Sequence, residues 1–248
     1  MEIIILLIAA FITSSISAVI GMGGGVILLG IMAIIIPQGF MAVALHGIIQ
    51  LTSNITRAYV FKKYIDIKIV KQFFIGALLG LFCSSIIILM LVQFFSVSSA
   101  NEIKVDFLKP LIGIFIIWYL FIKGPKKPKG NQTFFLVGYI SGISTVFIGA
   151  TGPLIAPFFL KKNLIKESII ANKAICQAIT HIGKIPLFIY FFNLDYISEV
   201  NILLPLMIAV FIGTNIGKKV LNFIPENIFR ILFKGALFII SIKLIIFN

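Results

Sequence analysis

Apolar sequence from Ile3 to Ile36 is interrupted by four glycines in five positions, Gly21-Met22-Gly23-Gly24-Gly25. Each glycine disfavours a continuing helix by about 1 kcal/mol relative to alanine. Apolar residues on both sides put the interruption at the depth of a bilayer. Lipid-exposed irregular backbone does not occur there, because its N–H and C=O groups would find no partner. The break must therefore be buried in protein or line a polar cavity. The bare N–H groups that open the second half-helix form the positive end of a dipole, a natural place for an anion.

The remaining sequence agrees with a membrane setting. Of the 248 residues, 60% are apolar and 12% charged, and the mean hydropathy is +1.15. That composition excludes a soluble globular domain and fits a polytopic helical membrane protein. The net charge of +13 points to no nucleic acid, since the Lys and Arg residues gather in short loops between apolar runs, where they report topology. Cys83 and Cys176 lie inside apolar segments and read as packed thiols with no disulfide. Residues 3–18 have a superficial likeness to a signal peptide but lack a basic start, and an internal copy of the segment argues for mature sequence.

Eight apolar segments can be marked, four in each half. Segment A covers 3–36, B 40–61, C 72–95 and D 107–122. After a polar, Pro-rich cytoplasmic linker, 123–132, come A′ 133–160, B′ 168–192, C′ 200–224 and D′ 228–247. The halves, 1–122 and 133–248, repeat residue by residue. Gly21–Gly25 answers to Gly149-Ala-Thr-Gly-Pro153, and Gly76-xxx-Gly80 in C answers to Gly213-xxx-Gly217 in C′. Small residues at that spacing allow close helix approach.

Counting Lys and Arg orients the chain. If A and A′ each cross the bilayer, the inside-to-outside ratio is nine to seven; if each dips in and returns, it is 14 to two. The positive-inside rule selects the second arrangement, with the halves inverted, re-entrant A segments and both termini outside. The fold class expected is therefore an all-α polytopic membrane protein. It has two inverted four-segment repeats, each opening on a glycine-broken segment.

Two polar stripes run along otherwise apolar helices. His46, Gln50, Asn54 and Arg57 in B, at offsets 0, 4, 8 and 11, fall within roughly 80° of one another on a helix. Lys173, Gln177, His181 and Lys184 in B′ repeat the stripe in register. Such stripes are costly in lipid unless they face a cavity or each other. Every Asp and Glu lies in a loop or near a terminus. The interior thus offers donors and cations without carboxylates, which favours an anionic solute over a metal or an amine. Plainer readings stay open: Arg57 and Lys184 as anchors snorkelling to the surface, the histidines as hydrogen-bonded core, the glutamines as glue between helices.

The glycine motif Gly21-Met-Gly-Gly-Gly25, its weaker copy Gly149-Ala-Thr-Gly-Pro153 with Pro157, and the duplicated layout resemble the sulfite exporter TauE/SafE family of small membrane transporters. The resemblance spans essentially the whole chain. It implies transport of sulfite, sulfonates or related oxyanions across the cytoplasmic membrane. The second copy departs in having fewer glycines and a Thr151 able to donate to a solute.

The function expected is secondary transport of such an anion by alternating access, with the proton as a candidate coupling ion through His46 or His181, whose side-chain type titrates near pH 6.5. Gly23, Gly24, Gly25, Gln50, Asn54, Thr151, Gly152, Gln177 and His181 are the expected solute-binding residues. His46, Arg57, Lys173 and Lys184 are assigned to gating or coupling. No Walker A sequence is present, so the chain itself does not couple to ATP. The sequence shows no metal cluster, carboxylate pair or nucleophile with a base, so no cofactor is expected and an enzyme acting on lipid or quinone is the weaker alternative. A passive anion channel is the other.

Overall fold

The computed structural model describes residues 2–36, 39–97, 99–102, 114, 117, 132–160 and 164–246. Segment D apart from Ile114 and Ile117, its Trp118 and Tyr119 included, and nearly all of the 123–132 linker lie outside the described residues. Among those described, nine α-helices make up the chain: α1 Glu2–Ile20, α2 Gly24–Ile35, α3 Gly39–Val60, α4 Ile67–Phe94, α5 Gln132–Ile148, α6 Gly152–Leu160, α7 Lys166–Phe192, α8 Val200–Leu221 and α9 Glu226–Ile246. Segments A and A′ are each split, as α1–α2 and α5–α6. Helix α4 starts five residues before the apolar run. The Asp66 carboxylate caps it by accepting from the N–H groups of Lys68 and Ile69 at 2.9 and 3.4 Å, so the basic first turn is helical without being apolar.

Helices α1, α4, α7 and α8 are long and apolar enough to cross a membrane. Half-helices α2 and α6, with 12 and nine residues, fall short of the ~20 needed. Outward-facing residues such as Ile34, Phe82, Tyr190, Phe211 and Ile239 are exposed and apolar, as a lipid-facing surface requires.

Helices pack across the two halves. Helix α1 lies along α8 and α5 along α4, while α3 and α7 face each other, with α2 resting on α3 and α6 on α7. The glycines explain how closely the first two pairs meet. A Cβ on Gly76 would lie 2.0 Å from the carbonyl oxygen of Phe135, and one on Gly80 2.1 Å from that of Tyr139. From the other side, Gly138 and Gly142 of α5 press on the carbonyls of Phe73 and Ala77. In the α1–α8 pair, a Cβ on Gly213 would lie 2.4 Å from the carbonyl oxygen of Phe11, and one on Gly217 2.4 Å from that of Ser15. Ser15 Oγ adds a 3.0 Å hydrogen bond to the Gly213 carbonyl. Without a hydrophobic drive between helices in lipid, this backbone contact is what binds them. The arrangement leaves α3 and α7, with their polar stripes, in the middle.

Candidate functional site

Both breaks are made the same way. Gly21 and Gly149 turn with φ of 82° and 77°, and Gly23 with 96°, a region that residues with a Cβ avoid. The N–H of Gly21 donates to the Ser17 carbonyl at 2.9 Å, and that of Gly149 to the Thr145 carbonyl at 3.2 Å. These bonds end α1 and α5. Gly23 and Thr151 then open the return half-helices, accepting from the N–H groups of Ile27 and Ile155. The N–H groups in between have no partner within their own helix.

Each segment therefore presents two opposite poles, and the buried cations sit at the negative ones. Lys173 Nζ donates to the Gly21 carbonyl at 2.8 Å, and Lys184 Nζ to the Gly149 carbonyl at 3.3 Å. Arg57 Nη1 donates to the Ser17 carbonyl at 3.3 Å. Cations at helix C-termini are held by the orphan carbonyls and the dipole together. Lys184 also donates to the Val43 carbonyl at 3.2 Å and rests 5.9 Å from the Phe188 ring. It reaches there over Gly47, where a Cβ would lie 2.4 Å from its Cε. Neither Arg57 nor Lys184 snorkels: they are 2% and 0% exposed. No Asp or Glu among the described residues is buried with them.

Between the breaks lies one small cavity, lined by Gly23, Gly25, His46, Gln50, Arg57, Gly152, Lys173, Gln177 and His181, with Ser17, Met22, Val26, Ala150 and Pro153. Gln50 approaches Gly25, its Oε1 3.0 Å from where a Cβ would stand, and Gln177 Nε2 lies 2.8 Å from the same point on Gly152. The glutamines thus meet the two half-helix openings. His46 and His181 touch edge to face, with ring centroids 6.3 Å apart. A carbonyl can only accept, so the 2.7 Å contact from His46 Nε2 to the Gly25 carbonyl fixes the proton on that nitrogen. The Nδ1 atoms of both histidines are buried without a partner.

Four of the expected residues stand behind the cavity wall. Gly24 faces α1, where a Cβ would lie 1.7 Å from the Thr13 carbonyl oxygen, so its glycine is required by packing. Asn54 accepts from Arg57 Nη2 at 2.5 Å, which aims the guanidinium, and its Nδ2 is unpartnered. Thr151 is fully buried with a free hydroxyl. Lys184 is the fourth, tied to Val43 and Gly149 as described. Ser17 was missed from sequence. A detectable signal existed: a hydroxyl residue stands four positions before each breaking glycine, Ser17 before Gly21 and Thr145 before Gly149.

The sequence model of the family Sulfite exporter TauE/SafE matches residues 6–244, which includes both breaks, both polar stripes and the cavity. No curated protein and no solved structure matches the chain. The match together with the apolar helices makes this a multi-pass protein of the cell membrane. With nearly its whole length matched, the chain belongs to the sulfite exporter TauE/SafE family.

Proposed function

We propose that the protein is a secondary transporter exporting a small sulfur-containing or organic oxyanion, such as sulfite or a sulfonate, by alternating access of its two inverted halves. The observation that carries this reading is the meeting of two half-helix openings, at Gly25 and Gly152, in one cavity with Gln50, Gln177 and Lys173. N–H groups at helix starts and amide donors suit an oxyanion, and no buried carboxylate among the described residues opposes it. The space among these groups is about 20 Å³, little more than a water-sized group needs. A space this small favours a carrier, whose helices part around the solute, over an open channel. The buried His46–His181 pair, with two unpartnered Nδ1 atoms, supports the proton as coupling ion.

Flux into proteoliposomes tests this. Sulfite, sulfate, thiosulfate, sulfoacetate and simple carboxylates would be screened with and without a pH gradient. A carrier gives saturable uptake and exchange of internal for external solute. Non-saturating flux without exchange would establish a channel instead.

A further inference from the structure

The three buried cations among the described residues, Arg57, Lys173 and Lys184, do not have equivalent surroundings. Lys184 is tied to two carbonyls and the Phe188 ring and does not line the cavity. Arg57 is spread over Ser17, Ser53 and Asn54, one contact from each of its nitrogens. Lys173 differs. Its Nζ, buried and 2% exposed at the residue level, donates to the Gly21 carbonyl at 2.8 Å and to Gln177 Oε1 at 3.1 Å. It also stands 3.5 Å from where a Cβ on Gly152 would be. One ammonium group therefore touches the first break and adjoins the second.

Two consequences follow. An ammonium has three N–H groups and accepts nothing, so two bonds leave a third N–H on a residue that lines the cavity. And because Lys173 can only donate, the atom of Gln177 facing it must be the oxygen. The Gln177 amide is thereby turned with its NH2 toward Gly152, where Nε2 is found. A free glutamine could present either end to a solute; this one is set to donate.

We propose that Lys173 is the residue that recognises the charge of the transported anion, and that it also positions Gln177 as a donor to that anion. The proposal rests on the cavity being the solute site. It assigns different work to two lysines that sequence alone treats alike: Lys173 binds solute and Lys184 holds a helix end.

Purified full-length protein in detergent would be titrated calorimetrically with sulfate, which carries two charges, and methanesulfonate, which carries one. Coulombic attraction scales with the charge on the solute. Lys173→Gln, which keeps a donor for the Gly21 carbonyl, should weaken methanesulfonate about tenfold and sulfate about 100-fold, so the preference for the dianion narrows about tenfold. Lys173→Met should do the same with added loss of thermal stability. Lys184→Met should lower thermal stability and leave the ratio of the two affinities unchanged. Gln177→Glu retains the acceptor for Lys173 but replaces the donor with a negative charge, so it should stay folded and bind neither anion. A folded Lys173→Gln protein with wild-type affinities and ratio would overturn the assignment of Lys173. Wild-type protein that binds neither probe would overturn the reading of the cavity beneath it.

Discussion

Lys173 Nζ lies 2.8 Å from the carbonyl oxygen of Gly21, the residue at which the first membrane segment breaks. Eleven residues later on the same helix, Lys184 Nζ donates to the carbonyl of Gly149, the residue at which the other broken segment turns. A rise of 1.5 Å per residue separates the two along α7 by about 16 Å. One helix thus holds both breaks by their carbonyls.

Removing the second grip should show as instability. Lys184→Met leaves the buried carbonyl of Gly149 without this donor, while that of Val43 keeps its partner within α3, so the expected loss is about 1–3 kcal/mol. Thermal unfolding in detergent checks this; an unchanged midpoint would mean that the Gly149 carbonyl finds another donor.

Two glycine-to-alanine changes should act in opposite directions. At Gly76 the new methyl would meet the Phe135 carbonyl oxygen at 2.0 Å, forcing α4 and α5 apart and destabilising by about 1–3 kcal/mol. At Gly235 on α9 nothing lies within 4 Å, so alanine should stabilise by about 0.5–1 kcal/mol through its better helix propensity. Unfolding midpoints of the two variants test the pair.

The glutamines give a prediction about affinity. Gln50→Leu and Gln177→Leu should each weaken solute binding by about 1–3 kcal/mol, the usual range for a hydrogen bond to a charged group. Leucine suits a membrane helix, so both proteins should fold. Solute-dependent shifts in melting temperature measure the effect; wild-type shifts in both would make the glutamines helix glue.

The sequence made the breaks legible because few residues other than glycine accept the backbone angles found at Gly21, Gly23 and Gly149. It made the stripes legible because His46, Gln50, Arg57, Lys173, Gln177 and His181 recur at helical spacing, and these do line one cavity. It did not reveal where the cations go. Their partners are carbonyls of Ser17, Gly21 and Gly149, which become orphans only when a helix ends there in three dimensions. Nor did it distinguish Gly24 from Gly25, since the first is pressed on α1 and the second on Gln50. The start of α4 was hidden by a cap, Asp66, lying outside the apolar run.

The histidine pair bears on coupling. In His46→Gln the amide can still donate to the Gly25 carbonyl, which preserves the local structure while removing a titrating group. Saturable solute exchange should persist and its stimulation by a pH gradient should fall. Proteoliposomes with imposed gradients provide the measurement; full stimulation in both His46→Gln and His181→Gln would place coupling elsewhere.

The central claim is that an anion sits between the two half-helix openings. A crystal structure of the full chain with selenite, an oxyanion visible by its anomalous scattering, tests it most directly. The account predicts a single strong selenium peak in the cavity, within hydrogen-bonding distance of Lys173, Gln177 and the N–H groups that open α2. A peak on another surface, with this cavity empty in protein that transports selenite, would contradict it.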